Sequence, residues 1–173
     1  MSARRIGAAV CASLALTLGS AGVAFAYGTD SSSAPSPTQD PCFDDGSGTV
    51  LRGTNGDDTL KAGTNVRTIC AFGGNDTIYA NDLGDYIYAG PGNDTIYGGA
   101  RNDHIEGQGG DDVIHDDGMY SGGSDTLLGQ TGNDTIYANN GQPDIVDGGT
   151  GANKCTVDTG PAVIDNVKNC IIQ

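Results

Sequence analysis

Asp76, Asp85, Asp94, Asp103 and Asp112 stand nine residues apart, and each is followed two places later by isoleucine. A carboxylate on a short stem does one of two kinds of chemistry. It serves in an acid/base pair, or it gives oxygen ligands to a hard cation such as Ca2+. The spacing discriminates between them. Acid/base work needs two carboxyls in different surroundings, whereas a uniform ladder gives every member the same surroundings. Metal ligation accounts for all of them together. Glu106 is the only glutamate, so the formal charge of −14 rests almost wholly on aspartate. That short side chain brings a carboxylate close to backbone carbonyls in a tight turn.

The remaining chemistry is sparse. Nucleic-acid binding needs a basic footprint, and this chain has the opposite. A CxxC metal motif is absent. His104 and His115 are the only histidines. They fall on different strands of the pattern described next, with no Ser/His/Asp or Cys/His constellation around them. The chain is therefore expected not to be an enzyme.

The elements that position the aspartates follow from the same period. Extended from Asp44 to Thr156, it gives twelve rungs. The eighth residues are Leu51, Leu60, Ile69, Ile78, Ile87, Ile96, Ile105, Ile114, Leu127, Ile136, Val146 and Cys155. No helical period keeps every ninth residue on one face. Residues seven to nine of a rung, typically Thr-Ile-Tyr, alternate as a short half-buried strand does, and the six before them are turn formers. With 29 glycines, no tryptophan and three phenylalanines, a large conventional core is not available. The expected fold is all-β: a parallel β-roll, a right-handed β-helix-like solenoid of about twelve nonapeptide rungs in two facing short-stranded sheets.

Two rungs per coil put alternate turns on opposite edges, and the two columns are unequal. The even turns carry glycine at the fourth position (Gly56, Gly74, Gly92, Gly110, Gly132 and Gly151) and aspartate at the sixth (Asp58, Asp76, Asp94, Asp112 and Asp134), with Asn153 closing the column. Glycine permits positive φ, which turns carbonyls inward beside the charge. The odd turns keep Asp85, Asp103, Asp125 and Asp144, but only Gly123 holds the fourth position, and Thr49 and Arg67 replace the first two aspartates. Both departures from the nine-residue step, Asp116 to Met119 and Ala138, fall on the odd edge.

The segments GTNGDDTLK from Gly53 and GQGGDDVIH from Gly107 resemble the repeat of the RTX (repeats-in-toxin) family, G-G-x-G-x-D-x-U-x. The resemblance covers roughly 44–156. It implies calcium ions between turns of successive coils, several in all and about five along the even edge, with Gly56, Gly74, Gly92, Gly110 and Gly132 beside the even aspartates. Asp85, Asp103, Asp125 and Asp144 would hold a few more. Arg67 is placed to stand near Asp85 in place of an ion. Carboxylates stacked about 5 Å apart repel unless a cation intervenes, so folding is expected to be coupled to calcium.

The flanks divide the chain further. Arg4-Arg5, an apolar run to Phe25 and the exit Ala24-Phe25-Ala26 have the form of a secretory signal peptide spanning 1–26, with cleavage after Ala26. Residues 27–43 form a flexible linker and N-terminal cap, 44–156 the roll, and 157–173 a C-terminal cap. The expected product is secreted and extracellular, with no membrane insertion after signal removal. Export makes disulfides expected among Cys42, Cys70, Cys155 and Cys170, which allow three pairings. About 20 Å of stacked coils between Cys70 and Cys155 favours 42–70 and 155–170. The expected function is calcium binding that drives folding. The alternative is a calcium-dependent module for an extracellular surface, glycan or ice. It would use the outward columns Thr59, Thr77, Thr95, Thr135 and Tyr79, Tyr97, Tyr137.

Overall fold

A computed structural model of the chain describes residue 42 and residues 48–116, 123–161 and 164–173. The signal peptide lies outside the described residues, as does the linker apart from Cys42.

The strands are β1 (Val50–Arg52), β2 (Thr59–Lys61), β3 (Thr68–Cys70), β4 (Thr77–Tyr79), β5 (Tyr86–Pro91), β6 (Thr95–Tyr97) and β7 (His104–Gly109). They continue as β8 (Val113–His115), β9 (Thr126–Thr131), β10 (Thr135–Ala138), β11 (Ile145–Asp147), β12 (Lys154–Val157), β13 (Asn166–Lys168) and β14 (Ile171–Ile172). Odd strands form one seven-stranded sheet in the order β1-β3-β5-β7-β9-β11-β13, and even strands form the other. Every pairing is parallel. The molecule is the all-β parallel solenoid that the nonapeptide period predicts, and no helix occurs among the described residues.

Three-residue strands suffice because only their central residue is buried, as in Thr77-Ile78-Tyr79. Leu60, Ile78, Ile96, Ile114, Ile136 and Cys155 stack in register up one sheet. Leu51, Ile69, Ile87, Ile105, Leu127 and Val146 stack up the other. The two rows form one cluster, with Leu51 at its half-buried start. Each fully buried aliphatic contributes ~1.5–3 kcal/mol.

Three details differ from the sequence reading. First, 157–173 continues the coil as well as capping it: β13 pairs Val167 with Val146, and β14 pairs Ile172 with Cys155. The tail lacks the glycine turn but keeps the Asp-x-aliphatic spacing in Asp165-Asn166-Val167, which is what the ladder requires. Secondly, Asp116 and Ala138 are not the additional residues of their turns. Each directly follows the ring column Tyr97, His115, Tyr137 at the first turn position, where Ala80 and Gly98 stand in other coils. Continuing the ladder at Asp116 satisfies one more backbone pair, its N–H donating to the Tyr137 carbonyl. Thirdly, β5, β7 and β9 are six residues long and run three residues into the even turns, pairing Gly90 with Gln108 and Gln108 with Gln130. The even edge of the middle coils is thus itself part of a sheet.

Disulfides join Cys42 to Cys70 and Cys155 to Cys170, closing both ends of the described roll.

Candidate metal centre

Each sixth-position aspartate follows a turn and precedes a strand, so its side chain lies inside the edge. One carboxylate oxygen ties adjacent coils together. The amide N–H of Asp58 donates to Oδ1 of Asp76, and those of Asp76, Asp94 and Asp112 donate to Asp94, Asp112 and Asp134, all at 2.7–2.9 Å. Asp134 N–H donates to Oδ1 of Asn153 at 2.8 Å. The odd edge repeats this, with Asp85 donating to Asp103, Asp103 to Asp125, Asp125 to Asp144 and Asp144 to Asp165. The structure therefore brings the predicted aspartates into two columns, and it adds Asp165 to the second. The Asp165-x-Val167 spacing was the signal for that residue.

The other oxygen is the site's chemical feature. In Asp76, Asp94, Asp112 and Asp134 on one edge, and in Asp85, Asp125 and Asp144 on the other, one carboxylate oxygen is buried without a hydrogen-bond partner. A buried, unsatisfied charged oxygen is strongly unfavourable. Burial accordingly pushes six of these carboxyls up: Asp94 to about 6 and Asp112 to about 7, with Asp76, Asp85, Asp134 and Asp144 raised for the same reason. The accepted N–H bonds oppose the shift, while neighbouring aspartates in the column reinforce it for Asp76, Asp94, Asp112 and Asp144. Arg67 donates from Nη1 to the Gly84 carbonyl at 3.1 Å, beside Asp85, and its charge draws that carboxyl back down.

Glycine shapes the even column where the coils approach most closely. Gly92 has φ +145°, and a Cβ there would stand 1.7 Å from the Gly74 carbonyl oxygen. The same approach recurs from Gly110 to Gly92 and from Gly132 to Gly110. The unpartnered oxygen also needs a small neighbour: a Cβ on Gly107 would lie 2.3 Å from Oδ2 of Asp112, and one on Gly129 2.3 Å from Oδ2 of Asp134.

A feature not foreseen from the sequence is a second ladder along the even edge only. The fifth-position side chains of Asp57, Asn75, Asn93, Asp111 and Asn133 each accept the N–H of the equivalent residue one coil on, at 2.7–3.0 Å. At the odd fifth positions Gly48, Val66, Gly84 and Pro143 have no side-chain acceptor, which leaves only Asn102 and Ser124, too few for a continuous ladder. The Asn or Asp that precedes each of these sixth-position aspartates was its signal.

The remaining candidates separate. His104 sits on β7 with Nε2 3.1 Å from Oε1 of Glu106. His115 sits on β8 in the other sheet, stacked between Tyr97 and Tyr137 with ring centroids 4.8 Å apart on each side. Donors along the two edges are carboxylate and carbonyl oxygens, with inward space that glycine keeps open. That donor set fits a hard cation of the Ca2+ class.

Comparison with known families agrees. The family model of the RTX calcium-binding nonapeptide repeat matches in four copies, at residues 45–65, 71–100, 88–115 and 120–155, together more than half of the chain. No curated protein and no solved structure matches. RTX repeats bind Ca2+. The chain belongs to the RTX family of calcium-binding nonapeptide-repeat proteins.

Proposed function

We propose that this is a secreted calcium-binding protein in which the ion drives folding, with Asp58, Asp76, Asp94, Asp112 and Asp134 holding it on the even edge and Asp85, Asp103, Asp125 and Asp144 on the odd. The observation that carries the reading is the run of buried carboxylate oxygens lacking partners, repeated at the same place in successive coils. When bound, calcium supplies the positive charge these oxygens lack. The chain's own residues do the rest. Amide N–H groups fix one oxygen of each carboxylate, glycines let the turns stack, and the aliphatic rows hold the two edges apart.

Without an ion, the raised carboxyl pKa values mean that ionisation opposes folding at neutral pH. Glycine-rich turns add an ordering cost that thin apolar rows offset only in part. Calcium binding is then folding free energy. The even edge, tied by two side-chain ladders and by strands that run into its turns, is the more regular host, and about five ions are assigned to it. Cleavage after Ala26 and an extracellular setting belong to the same proposal, supported by the signal-like leader and by the disulfides.

Far-UV circular dichroism of the disulfide-bonded chain in excess chelator, and again after calcium addition, tests the proposal. The expected result is loss of β signal in chelator and recovery with calcium. Full β-structure in chelator would overturn it.

A second reading has one observation in its favour. Tyr79, Tyr97, His115 and Tyr137 form an outward stack with interplanar angles of 2–6°, beside the column Thr59, Thr77, Thr95. Such an ordered face suits a surface, glycan or ice ligand. Because the rings cover one another's faces, a ligand would meet mainly their edges and hydroxyls. Glycan-array binding or thermal hysteresis, each abolished by chelator, is the outcome this reading requires.

A further inference from the structure

We infer that Asp116, Asp125 and Asp144 form a distinct three-carboxylate cation site on the odd edge, tighter than the sites the nonapeptide repeat itself supplies. The inference rests on the calcium reading above, but its residues do not come from the repeat pattern alone.

Asp116 is the departure. In the coils around it, the residue after the ring column is small: Ala80 after Tyr79's strand, Gly98 after Tyr97 and Ala138 after Tyr137. Asp116 takes that place after His115, and its backbone N–H donates to the Tyr137 carbonyl at 3.0 Å, as the N–H of Gly98 donates to that of His115 at 2.9 Å. The backbone path is thus unchanged there, and a carboxylate is added where the adjacent coils have at most a methyl group. Asp116 is buried, 3% exposed.

Two sixth-position aspartates meet it. Asp125 and Asp144 are each 2% exposed. Each gives Oδ1 to the amide of the preceding coil; Oδ2 of Asp125 is buried with no hydrogen-bond partner, and that of Asp144 is buried with no donor but the neighbouring Asp116 carboxyl, which reaches it only when one of the two holds a proton. One oxygen from each of the three residues lies within 4.8 Å of the others. Oxygens on opposite sides of a calcium ion stand about 4.6–5.2 Å apart, from ligand distances of 2.3–2.6 Å. The cluster therefore has the dimensions of one coordination sphere. Asn140 Nδ2 donates to Oδ2 of Asp116 at 2.6 Å, orienting the added carboxylate.

Charge explains why the site outranks its neighbours. Elsewhere the repeat buries one aspartate per coil at an edge, the second carboxylates Asp57, Asp82 and Asp111 being exposed, whereas the coil of Asp125 buries two. Calcium affinity rises with the number of charged ligands, and attraction to a trivalent ion rises further with ionic charge. Magnesium, which needs shorter bonds in near-octahedral order and sheds water reluctantly, gains less.

The test is calorimetric titration of the disulfide-bonded chain with Ca2+, Mg2+ and Tb3+, on the native protein and on Asp116→Ala, Asp116→Asn and, as a control, Asp82→Asn, which removes an exposed odd-edge carboxylate outside the assigned sites. Alanine is native to this place in other coils, and asparagine keeps the shape of the side chain, so circular dichroism at saturating calcium should be unchanged for at least one of the two variants. The expected result is a first calcium ion bound at least ~10-fold more tightly than the rest, with Tb3+ tighter still and Mg2+ weaker. That first phase should be lost in both Asp116 variants and kept in Asp82→Asn. A folded Asp116 variant that retains the tight phase overturns the inference while leaving the calcium reading intact. A native protein that binds no calcium overturns both.

Discussion

At Gly92 two requirements fall on one residue. Its φ of +145° disfavours any L side chain, and a Cβ would stand 1.7 Å from the Gly74 carbonyl oxygen. Gly141 also has positive φ, at +89°, but nothing lies within 4 Å of its missing Cβ. In saturating calcium, Gly92→Ala should cost about 3 kcal/mol or more and Gly141→Ala about 1–2 kcal/mol, read from denaturant midpoints. Equal losses would mean that the close stacking of coils is not what the glycine column serves. The aspartates invite a test of sign. Asp94→Asn keeps an acceptor for the Asp76 amide and removes a buried charge. With calcium it should destabilise by about 1–3 kcal/mol, and by more than Asp85→Asn, because Asp94 stands on the edge with two ladders. Without calcium at neutral pH it should raise the residual β signal instead, since the charge it removes opposes folding there. A loss under both conditions would assign Asp94 a purely structural role.

The column of aspartates behaves as a unit, and its pH response follows from the direction of the shifts. Asp94 at about 6 and Asp112 at about 7 lie above the ordinary value of 3.8, so the folded chain holds protons that the unfolded chain releases. A raised carboxyl contributes stability that is full below the unfolded value and lost as pH rises through the folded one. The metal-free chain should therefore have more β-structure at pH 5 than at pH 8. Calcium needs the ionised form, so in saturating calcium the order should invert. Circular dichroism at the two pH values, with and without the ion, checks this, and a metal-free chain more ordered at pH 8 would contradict it. At this scale the sequence was informative wherever one period carries a signal many times. The aliphatic eighth position read out the strands, their register and the facing rows. It was uninformative wherever structure departs from the period. Asp116 looked like part of an insertion because counting residues does not reveal that the turn keeps its first position in the ladder. The strand at Asn166–Lys168 was hidden by loss of the glycine turn, although the Asp165 to Val167 spacing survives. The left-handed backbone at Phe72, Gln108 and Gln130 had no composition signal either, since only glycine announces positive φ.

As a whole molecule the roll is nearly one-dimensional: each strand pairs only with the strands two before and two after it in the chain. Stability in such a stack is a sum of coil terms and nearest-neighbour terms, so a local change stays local and the ends are the weakest points. The disulfides sit where that matters. Cys42 to Cys70 closes a separation of 28 residues over the first coil, and Cys155 to Cys170 closes 15 residues over the last. At the C-terminal end, Ile171 and Ile172 are exposed on β14, the last strand of its sheet, so little apolar burial holds them. The cross-link must supply what burial does not, and a closed loop of 15 residues contributes about 3 kcal/mol by restricting the unfolded chain. Replacing Cys155 and Cys170 together by alanine should therefore fray β12, β13 and β14 while leaving β4 to β8 intact. In saturating calcium, hydrogen exchange at the amides of Ile171 and Gln173, which donate to Asn153 and Cys155, should quicken by about 100-fold, the factor that corresponds to about 3 kcal/mol. The amides of Thr95 and Val113, which donate to Asp76 and Asp94 in the middle coils, should exchange at the native rate. Uniform quickening along the roll would show instead that the stack unfolds as one cooperative body, and that the aspartate ladders couple coils over a longer range than their pairwise hydrogen bonds imply.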